Sequence, residues 1–290
     1  MIDEVLRRRL ESLNREPLPA AALPLPRPND PVTPTLGARR PEAAPMRPGV
    51  VQAIPGLIRR GETVTNERGE HLRICLPLEE LWPGGEALSR KRHEFLSSPE
   101  GRGENKSLRS FIDAFPHRAV LLDLETCGFA GSALFLIGLL RRIDDRLAVE
   151  LLLARDYSEE PAVLASLWER LSDDAVVVTF NGKSFDWPMV VDRSRRHLLQ
   201  RGRPLAAPQH IDLLHPARRR WRRQLPDCRL QTLERRICGR RRVDDLPGSQ
   251  IPAAYAQYVR TGFEREMDGI LLHNAVDLVT LLDLALRLAG

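Results

Sequence analysis

The chain has few cysteines, few aromatic residues and no unbroken apolar run long enough to span a bilayer, which takes roughly 20 residues. Its 290 residues include four cysteines, and only 5% are aromatic. The cysteines are scattered at Cys75, Cys127, Cys228 and Cys238. None forms a Cys-x-x-Cys pair, which argues against a structural zinc site. Free thiols suit a reducing compartment, so we predict a cytoplasmic protein with no membrane partner.

The N-terminus also lacks the features of a secretory signal. Asp3 and Glu4 come early, and no apolar core segment follows them. Basic residues exceed acidic ones, 44 to 39, which gives a net charge of +5. This balance is compatible with an anionic polymer as partner. With 42% hydrophobic residues, the chain can form one sizeable core and a small second unit.

Composition divides the chain into three regions. Residues 1–55 are crowded with proline and alanine and predict a flexible, disordered segment. A ligand for a proline-recognising domain is the alternative to a plain spacer. Residues 56–114 predict a small β-containing region and a loop. Residues 115–290 predict the main domain.

The sequence pattern predicts that the main domain is an α/β protein. Three apolar strands, at 119–125, 133–141 and 147–154, are followed by a helix at 158–171. A strand at 175–180, a helix at 185–200 and a strand at 209–214 come next, and a long helix at 269–289 ends the chain. Short turns between the first strands favour antiparallel pairing, and the later helix crossovers favour parallel pairing. The expectation is a five-stranded mixed sheet.

Two carboxylates end the first of these strands. Asp123 and Glu125 are two residues apart, so their side chains project from the same face of the strand. Adjacent anions there repel each other unless a cation lies between them. Hard divalent cations such as Mg²⁺ prefer oxygen ligands of this kind.

Two further carboxylates lie downstream at element ends. Asp186 follows the strand-breaking pair Asn181-Gly182, in the first turn of a predicted helix. His273 and Asp277 are four residues apart in the last helix and share a face. Taken singly, such residues are more often a loop edge, a helix cap or a satisfied core histidine. Their joint occurrence, in this order, is what favours a metal site.

These motifs resemble the DEDD 3′–5′ exonucleases of the ribonuclease H-like superfamily. Asp123-x-Glu125 is similar to their first motif, Asn181 with Phe185-Asp186 to the second, and His273 with Asp277 to the third. The most similar branch is the YprB-like group of bacterial ribonuclease H-like domain proteins. In that group a Leu-Pro-Gly stretch, here 246–248, precedes a helix carrying His-Asn-x-x-Asp. The resemblance covers about residues 115–288.

The resemblance implies a three-layer ribonuclease H-like fold and a two-metal phosphodiesterase. Two Mg²⁺ or Mn²⁺ ions would be held by Asp123, Glu125, Asp186 and Asp277, with Asp123 bridging both. His273 would orient the attacking water or take its proton. One departure concerns this histidine: it lies four residues before the last aspartate, whereas the histidine subclass usually has five.

Residues 218–242 carry the strongest charge feature, a tract of arginines around Trp221. Guanidinium groups match phosphate oxygens, and an exposed indole stacks on a base. The candidate nucleic-acid-binding residues are Asn181, Lys183, Arg219, Trp221 and Arg222. The alternative is a solvated helix face whose tryptophan packs inward. The expected partner is nucleic acid, single-stranded or with a 3′ end.

Three functions compete at this point. The first is metal-dependent hydrolysis of nucleic acid from the 3′ end. The second is a catalytically weak or inactive nucleic-acid-binding module with the same fold. The third is an interaction protein whose carboxylates hold one structural ion. Nothing in the sequence chooses between DNA and RNA or between exonuclease and endonuclease action.

Overall fold

The computed structural model of the protein describes residues 49–51, 54–128, 131–199, 208–243 and 245–290. The flexible segment predicted at 1–55 lies almost wholly outside the described residues. Within them the strands are β1 Gly49–Val51, β2 Glu62–Asn66, β3 Gly69–Pro77, β4 Ala119–Thr126, β5 Leu134–Ile143, β6 Arg146–Leu153, β7 Val176–Thr179, β8 Gln209–Asp212 and β9 Arg240–Arg242.

Seven of these strands form one mixed sheet in the order β2-β3-β6-β5-β4-β7-β8. The pairs from β2 to β4 are antiparallel, whereas β4–β7 and β7–β8 are parallel. The predicted antiparallel front and parallel back are therefore confirmed. The predicted number of five strands is too small, because the hairpin β2–β3 pairs with β6 and extends the same sheet.

The α-helices among the described residues are α1 Leu78–Leu81, α2 Gly85–Ser97, α3 Lys106–Ala114, α4 Glu160–Glu169, α5 Asp186–Arg196, α6 Leu214–Trp221, α7 Leu230–Leu233, α8 Ile251–Thr261 and α9 Arg265–Leu288. A π-helical turn, Glu234–Cys238, continues α7, and short 3₁₀ turns lie at Ile58–Arg60, Tyr157–Glu159 and Gly248–Gln250. The helix α9 packs on β4, β5 and β6 and also contacts α8 and α3, while α4 packs on β3 and β5. The α/β class predicted from the sequence is confirmed.

The main core lies between α9 and the sheet. Leu271, Leu278 and Leu282 of α9 and Leu121 of β4 are fully buried. They belong to a single cluster of apolar side chains that extends through the strands. Burial of such side chains stabilises the fold by about 1.5–3 kcal/mol each. The α9 helix is thereby fixed against the strand that carries Asp123.

The α9 helix has the length and mean hydropathy of a membrane-spanning helix, although no unbroken apolar run of that length occurs in the sequence. However, 89% of its most apolar 18-residue window is buried inside the protein. A helix apolar on all sides is expected in the centre of a folded domain as well as in a bilayer. Its burial here explains its composition.

A second sheet, of two parallel strands, lies beside α9. In it, β1 pairs with β9, and Val51 lies opposite Arg242. This pairing fixes the register of β9, which follows the π-helical turn directly in the chain. This strand supplies an arginine that enters the carboxylate site.

Candidate functional site

Asp123 and Glu125 lie on β4, as predicted, and Asp123 is opposite Gly138 of β5. A Cβ atom at position 138 would lie 1.7 Å from Asn274 Oδ1, so only glycine allows α9 to approach the sheet this closely. Asn274 Nδ2 donates a hydrogen bond of 2.8 Å to Asp123 Oδ2. The glycine on β5 thus makes room for the amide that positions the carboxylate on β4.

Asp186 is the first residue of α5. The turn before it is held by Asp212 at the end of β8, which accepts hydrogen bonds from the backbone N–H groups of Asn181 (2.8 Å) and Lys183 (3.2 Å). Asn181 has a φ of +67°, a left-handed conformation that asparagine tolerates. A Cβ atom at Gly182 would lie 2.7 Å from Asp186 Oδ2. Glycine at 182 therefore leaves room for the Asp186 carboxylate, which accepts a hydrogen bond from the backbone N–H of Leu124 on β4.

The structure brings the four predicted carboxylates close enough to influence each other's ionisation. Burial raises the pKa of Asp123 well above its usual range, and Asp277, Glu125 and Asp186 raise it further. Burial also raises the pKa of Glu125 to about 8, opposed by His273 and reinforced by Asp277 and Asp186. For Asp186, burial raises the pKa to about 7. Cations placed among these carboxylates would favour their ionised forms.

Asp277 already has two cationic neighbours. Arg242 Nη2 donates to its Oδ1, and His273 Nε2 lies 3.3 Å from its Oδ2. Burial raises the pKa of Asp277, but these two groups outweigh burial and lower the pKa below its usual value. Arg242 is itself shared with Glu234, to whose Oε2 it donates at 2.6 Å. Two of the chain's own side chains therefore neutralise one carboxylate of the site.

His273 lies between two carboxylates. Its Nδ1 is 2.8 Å from Asp245 Oδ1, and its Nε2 faces Asp277. Burial alone would lower the pKa of His273, but the hydrogen bonds to Asp245 and Asp277 raise it to about 11. In this arrangement the imidazole is protonated and donates hydrogen bonds. The role of His273 as a base stays a prediction, and it requires the histidine to lose this proton.

Within the described ranges, no three His, Cys, Asp or Glu side chains are gathered around a point suited to a metal ion. Asp277 does not face a shared point with the other carboxylates, because Arg242 and His273 engage both of its oxygens. The donor chemistry still fits a hard divalent cation, because the other three carboxyl groups are half-buried oxygen ligands whose pKa values are raised. Asn274 Oδ1 is also buried and has no hydrogen-bond partner in the described part of the chain.

The arginine tract is only partly as predicted. Trp221 is 6% exposed and belongs to the apolar core, so the predicted stacking of its indole on a base is wrong. It shares the inward face of α6 with Leu214 and Ala217, at helical spacing. Arg219 and Arg222 are exposed, as is Lys183, while Asn181 is half-buried. These four side chains stay candidates for contact with nucleic acid.

Sequence reasoning missed four side chains of the site. Asn274 lay inside the quoted His-Asn-x-x-Asp motif, but no role was assigned to it. Arg242 was counted with the arginine tract, and Asp245 was not considered. Phe185 entered only as part of the second motif, yet its ring is 67% exposed directly before Asp186. The position of Phe185 directly before Asp186 is visible in the sequence, whereas the exposure of its ring is known only from the structure.

Comparison with known proteins agrees with this architecture. A family model described as the RNase H superfamily matches residues 120–289, more than half of the chain. The chain is also similar to the Bacillus subtilis (strain 168) protein named "Uncharacterized protein YprB", with 36% identity over 172 residues. The match covers 58% of this chain and 41% of that protein, so it spans less than half of the relative's length.

Proposed function

Because the chain belongs to the RNase H superfamily, we propose that it is a divalent-metal-dependent nuclease that acts as a 3′–5′ exonuclease. The observation that carries the proposal is the clustering of Asp123, Glu125, Asp186 and Asp277, from three separate elements. The first three are half-buried and Asp277 is buried. Nucleases of this superfamily typically use divalent metals. A structural role alone would not favour four mutually repelling carboxylates that are partly or fully removed from solvent, because burial of like charges costs stability.

Two Mg²⁺ or Mn²⁺ ions suit this donor set. Asp123, central to the cluster, would bridge both, with Glu125 and Asp277 completing one site and Asp186 the other. The metals would supply an activated water and neutralise the charge that develops on the phosphate. Asn274 would hold the Asp123 carboxylate in its orientation through the hydrogen bond it already makes.

Arg242 and His273 would respond to metal occupancy. Both now neutralise Asp277, and a metal at that carboxylate would compete with them by electrostatic repulsion. Arg242 keeps a second partner in Glu234, and His273 keeps Asp245, so each can leave Asp277 without becoming an isolated buried charge. His273 would lose its proton most readily once Asp277 is occupied.

The proposal predicts cleavage of labelled single strands only in the presence of Mg²⁺ or Mn²⁺. A 5′-labelled strand should shorten progressively from its 3′ end, and EDTA should abolish the reaction. A circular single strand of the same composition serves as the matched control, because an exonuclease requires an end. DNA and RNA strands are tested side by side.

Two results would contradict this assignment. Cleavage of the circle at the rate of the linear strand would replace the exonuclease with an endonuclease. Tight strand binding without cleavage by either metal would favour the binding module, the second candidate, which the exposed arginines at 218, 219, 222 and 223 support.

Phe185→Ala is expected to weaken binding of single strands by about ten-fold, because one base–aromatic stack contributes roughly 1–3 kcal/mol. The ring is exposed and immediately precedes Asp186, so it lies where a terminal base would approach the carboxylates. Fluorescence anisotropy with a labelled strand in EDTA measures the affinity without cleavage.

Phe95→Ala is the matched control for this change. Phe95 is 58% exposed on α2, and its replacement removes the same ring from a different surface. We expect its affinity to match that of the unaltered protein. Equal losses in the two variants would mean that general surface hydrophobicity, and not the position of Phe185, governs binding.

A further inference from the structure

A basic pocket of about 410 Å³ lies beside the carboxylate site. Its walls come from the segment around α7, the π-helical turn and β9. Its charged lining residues are Asp227, Arg229, Glu234, Arg235, Arg240, Arg241, Arg242 and Asp245. Arg242 lines this pocket and also donates to Asp277. The pocket is therefore one side chain away from the carboxylates.

The charges within the pocket do not balance. Of its acidic groups, Glu234 is engaged by Arg242, and Asp245 is engaged by His273. Asp227 accepts a hydrogen bond from the backbone N–H of Arg229. By contrast, Arg229, Arg235 and Arg241 are exposed, and none makes an ion pair with any side chain described in the structure. The pocket thus offers several guanidinium groups to an anion.

Arg240 is the buried member of the pocket's arginines. Its residue is only 4% exposed, and its Nη1 is buried without a hydrogen-bond partner in the described ranges. Its Nη2 lies 3.2 Å from Asp283, a carboxylate that also binds Arg92 and Arg287. Its guanidinium carbon is 4.2 Å from the centre of the Trp82 ring. Arg240 therefore adds positive charge behind the pocket wall, while the exposed arginines supply the donors that an anion can reach.

We propose that this pocket binds an internal phosphate of a nucleic-acid strand whose neighbouring phosphodiester lies at the carboxylate site. Guanidinium groups bind phosphate oxygens through paired N–H donors, and several such groups can surround the tetrahedral anion. This inference rests on the proposed function for the identity of the strand. In this proposal Arg235 and Arg241 contact the phosphate in the pocket. The arginines on α6 belong to a different surface and are not part of the pocket.

Arg242 connects the pocket to the carboxylates. A phosphate in the pocket attracts its guanidinium away from Asp277, and the loss of this cation leaves Asp277 available to a metal. Strand binding and metal binding therefore favour each other, and by linkage the effect is reciprocal.

The test compares the double variant Arg235→Gln/Arg241→Gln with the matched control Arg90→Gln/Arg260→Gln, which lies outside the arginine tract. All four arginines are exposed, and each variant loses the same charge. The probes are inorganic phosphate, a nucleoside 5′-monophosphate and a short single strand without terminal phosphates. Isothermal titration calorimetry in EDTA measures each affinity. The pocket variant should lose about ten-fold or more in affinity for the strand, as expected for charged hydrogen bonds, and the control at most about two-fold.

Equal losses in the two variants would overturn the pocket assignment, because only the overall charge would then matter. A loss confined to the monophosphate would overturn the assignment to an internal phosphate. The effect on metal binding is measured separately. A saturating concentration of strand should tighten the binding of Mn²⁺ to the unaltered protein. Equilibrium dialysis measures this with a phosphorothioate strand, which resists cleavage. An unaltered protein that binds strands through this pocket but never cleaves them would contradict the proposed function and not the pocket.

Discussion

Asp123→Asn is expected to lower metal-dependent strand cleavage by about a thousand-fold. The substitution keeps the size of the side chain but removes the charge from the carboxylate proposed to bridge both ions. Metal stabilisation of a phosphodiester transition state is worth several kcal/mol, and each 1.36 kcal/mol corresponds to a ten-fold change in rate. Single-turnover cleavage of a labelled strand in Mn²⁺ measures the loss.

The same substitution should not destabilise the metal-free protein. Burial and three carboxylate neighbours raise the pKa of Asp123 in the folded state above its unfolded value. A raised acid pKa means that folding becomes less favourable as pH rises through the folded pKa, so the carboxylate opposes folding at neutral pH. Asparagine removes this penalty, and its own oxygen can still accept the hydrogen bond from Asn274. Thermal unfolding in EDTA should therefore occur at an equal or higher temperature.

Asp145→Asn is the matched control, because Asp145 is 94% exposed in the β5–β6 turn and distant from the site. It should cleave strands at the normal rate. Combined measurement of activity and stability separates catalysis from folding. Full activity in Asp123→Asn would remove the proposed metal site, and a large drop in its stability would indicate that Asp123 has a structural role instead.

Much of the carboxylate site follows from local sequence patterns. Alternation on a strand places Asp123 and Glu125 on one face, and helical spacing places His273 beside Asp277. The Asn-Gly pair ends β7 and leads to Asp186. Each of these is a short-range consequence of backbone geometry. The order of strands and helices favours a topology in which the end of β4, the start of α5 and the middle of α9 lie close together.

The inward orientation of Trp221 was also within reach of the sequence. Leu214, Ala217 and Trp221 are separated by three and four residues, which is the spacing of one helix face. The arginines on either side of Trp221 favour a charged surface, whereas the apolar stripe favours the inward orientation that the structure shows.

The remaining features depend on long-range pairing. The contact of Arg242 with Asp277 requires β9 to lie beside α9, a position that no local pattern of the arginine tract specifies. The extension of the sheet to seven strands requires β3 to pair with β6, which lies about 75 residues later in the chain. Unpaired strand edges accept many partners, so the choice is made by the folded core and not by the strand itself.

Glu150→Ala is expected to lower the free energy of unfolding by about 3 kcal/mol, since three half-buried arginines would lose the buried carboxylate that they share. The Glu150 side chain is fully buried on β6. It binds Arg73 at 2.5 Å, Arg141 at 2.9 Å and Arg170 at 2.8 Å. Although burial raises its pKa, these arginines lower the pKa of Glu150 from 4.5 to about 2. Urea unfolding at neutral pH measures the change.

The pH dependence has a defined sign. Because the folded pKa of Glu150 lies below its unfolded value, its stabilising contribution is fully present above pH 4.5 and is lost as pH falls toward 2. The difference in stability between the unaltered protein and Glu150→Ala should therefore shrink on acidification. A difference that stays constant between pH 7 and pH 3 would mean that packing, and not the ion cluster, accounts for the loss.

Glu62→Ala is the matched control for the ion cluster, because Glu62 also binds Arg73 but is 65% exposed. An exposed pair contributes at most about 1 kcal/mol, so this variant should be nearly as stable as the original. On β5, Leu139 lies opposite Glu150 and the adjacent Gly138 lies opposite Asp123. Because adjacent residues of a strand face opposite sides of a sheet, Glu150 and Asp123 lie on different faces. Glu150→Ala should therefore reduce stability while each folded molecule cleaves strands at the normal rate. A loss of activity per folded molecule would show that the two faces of the sheet are energetically linked.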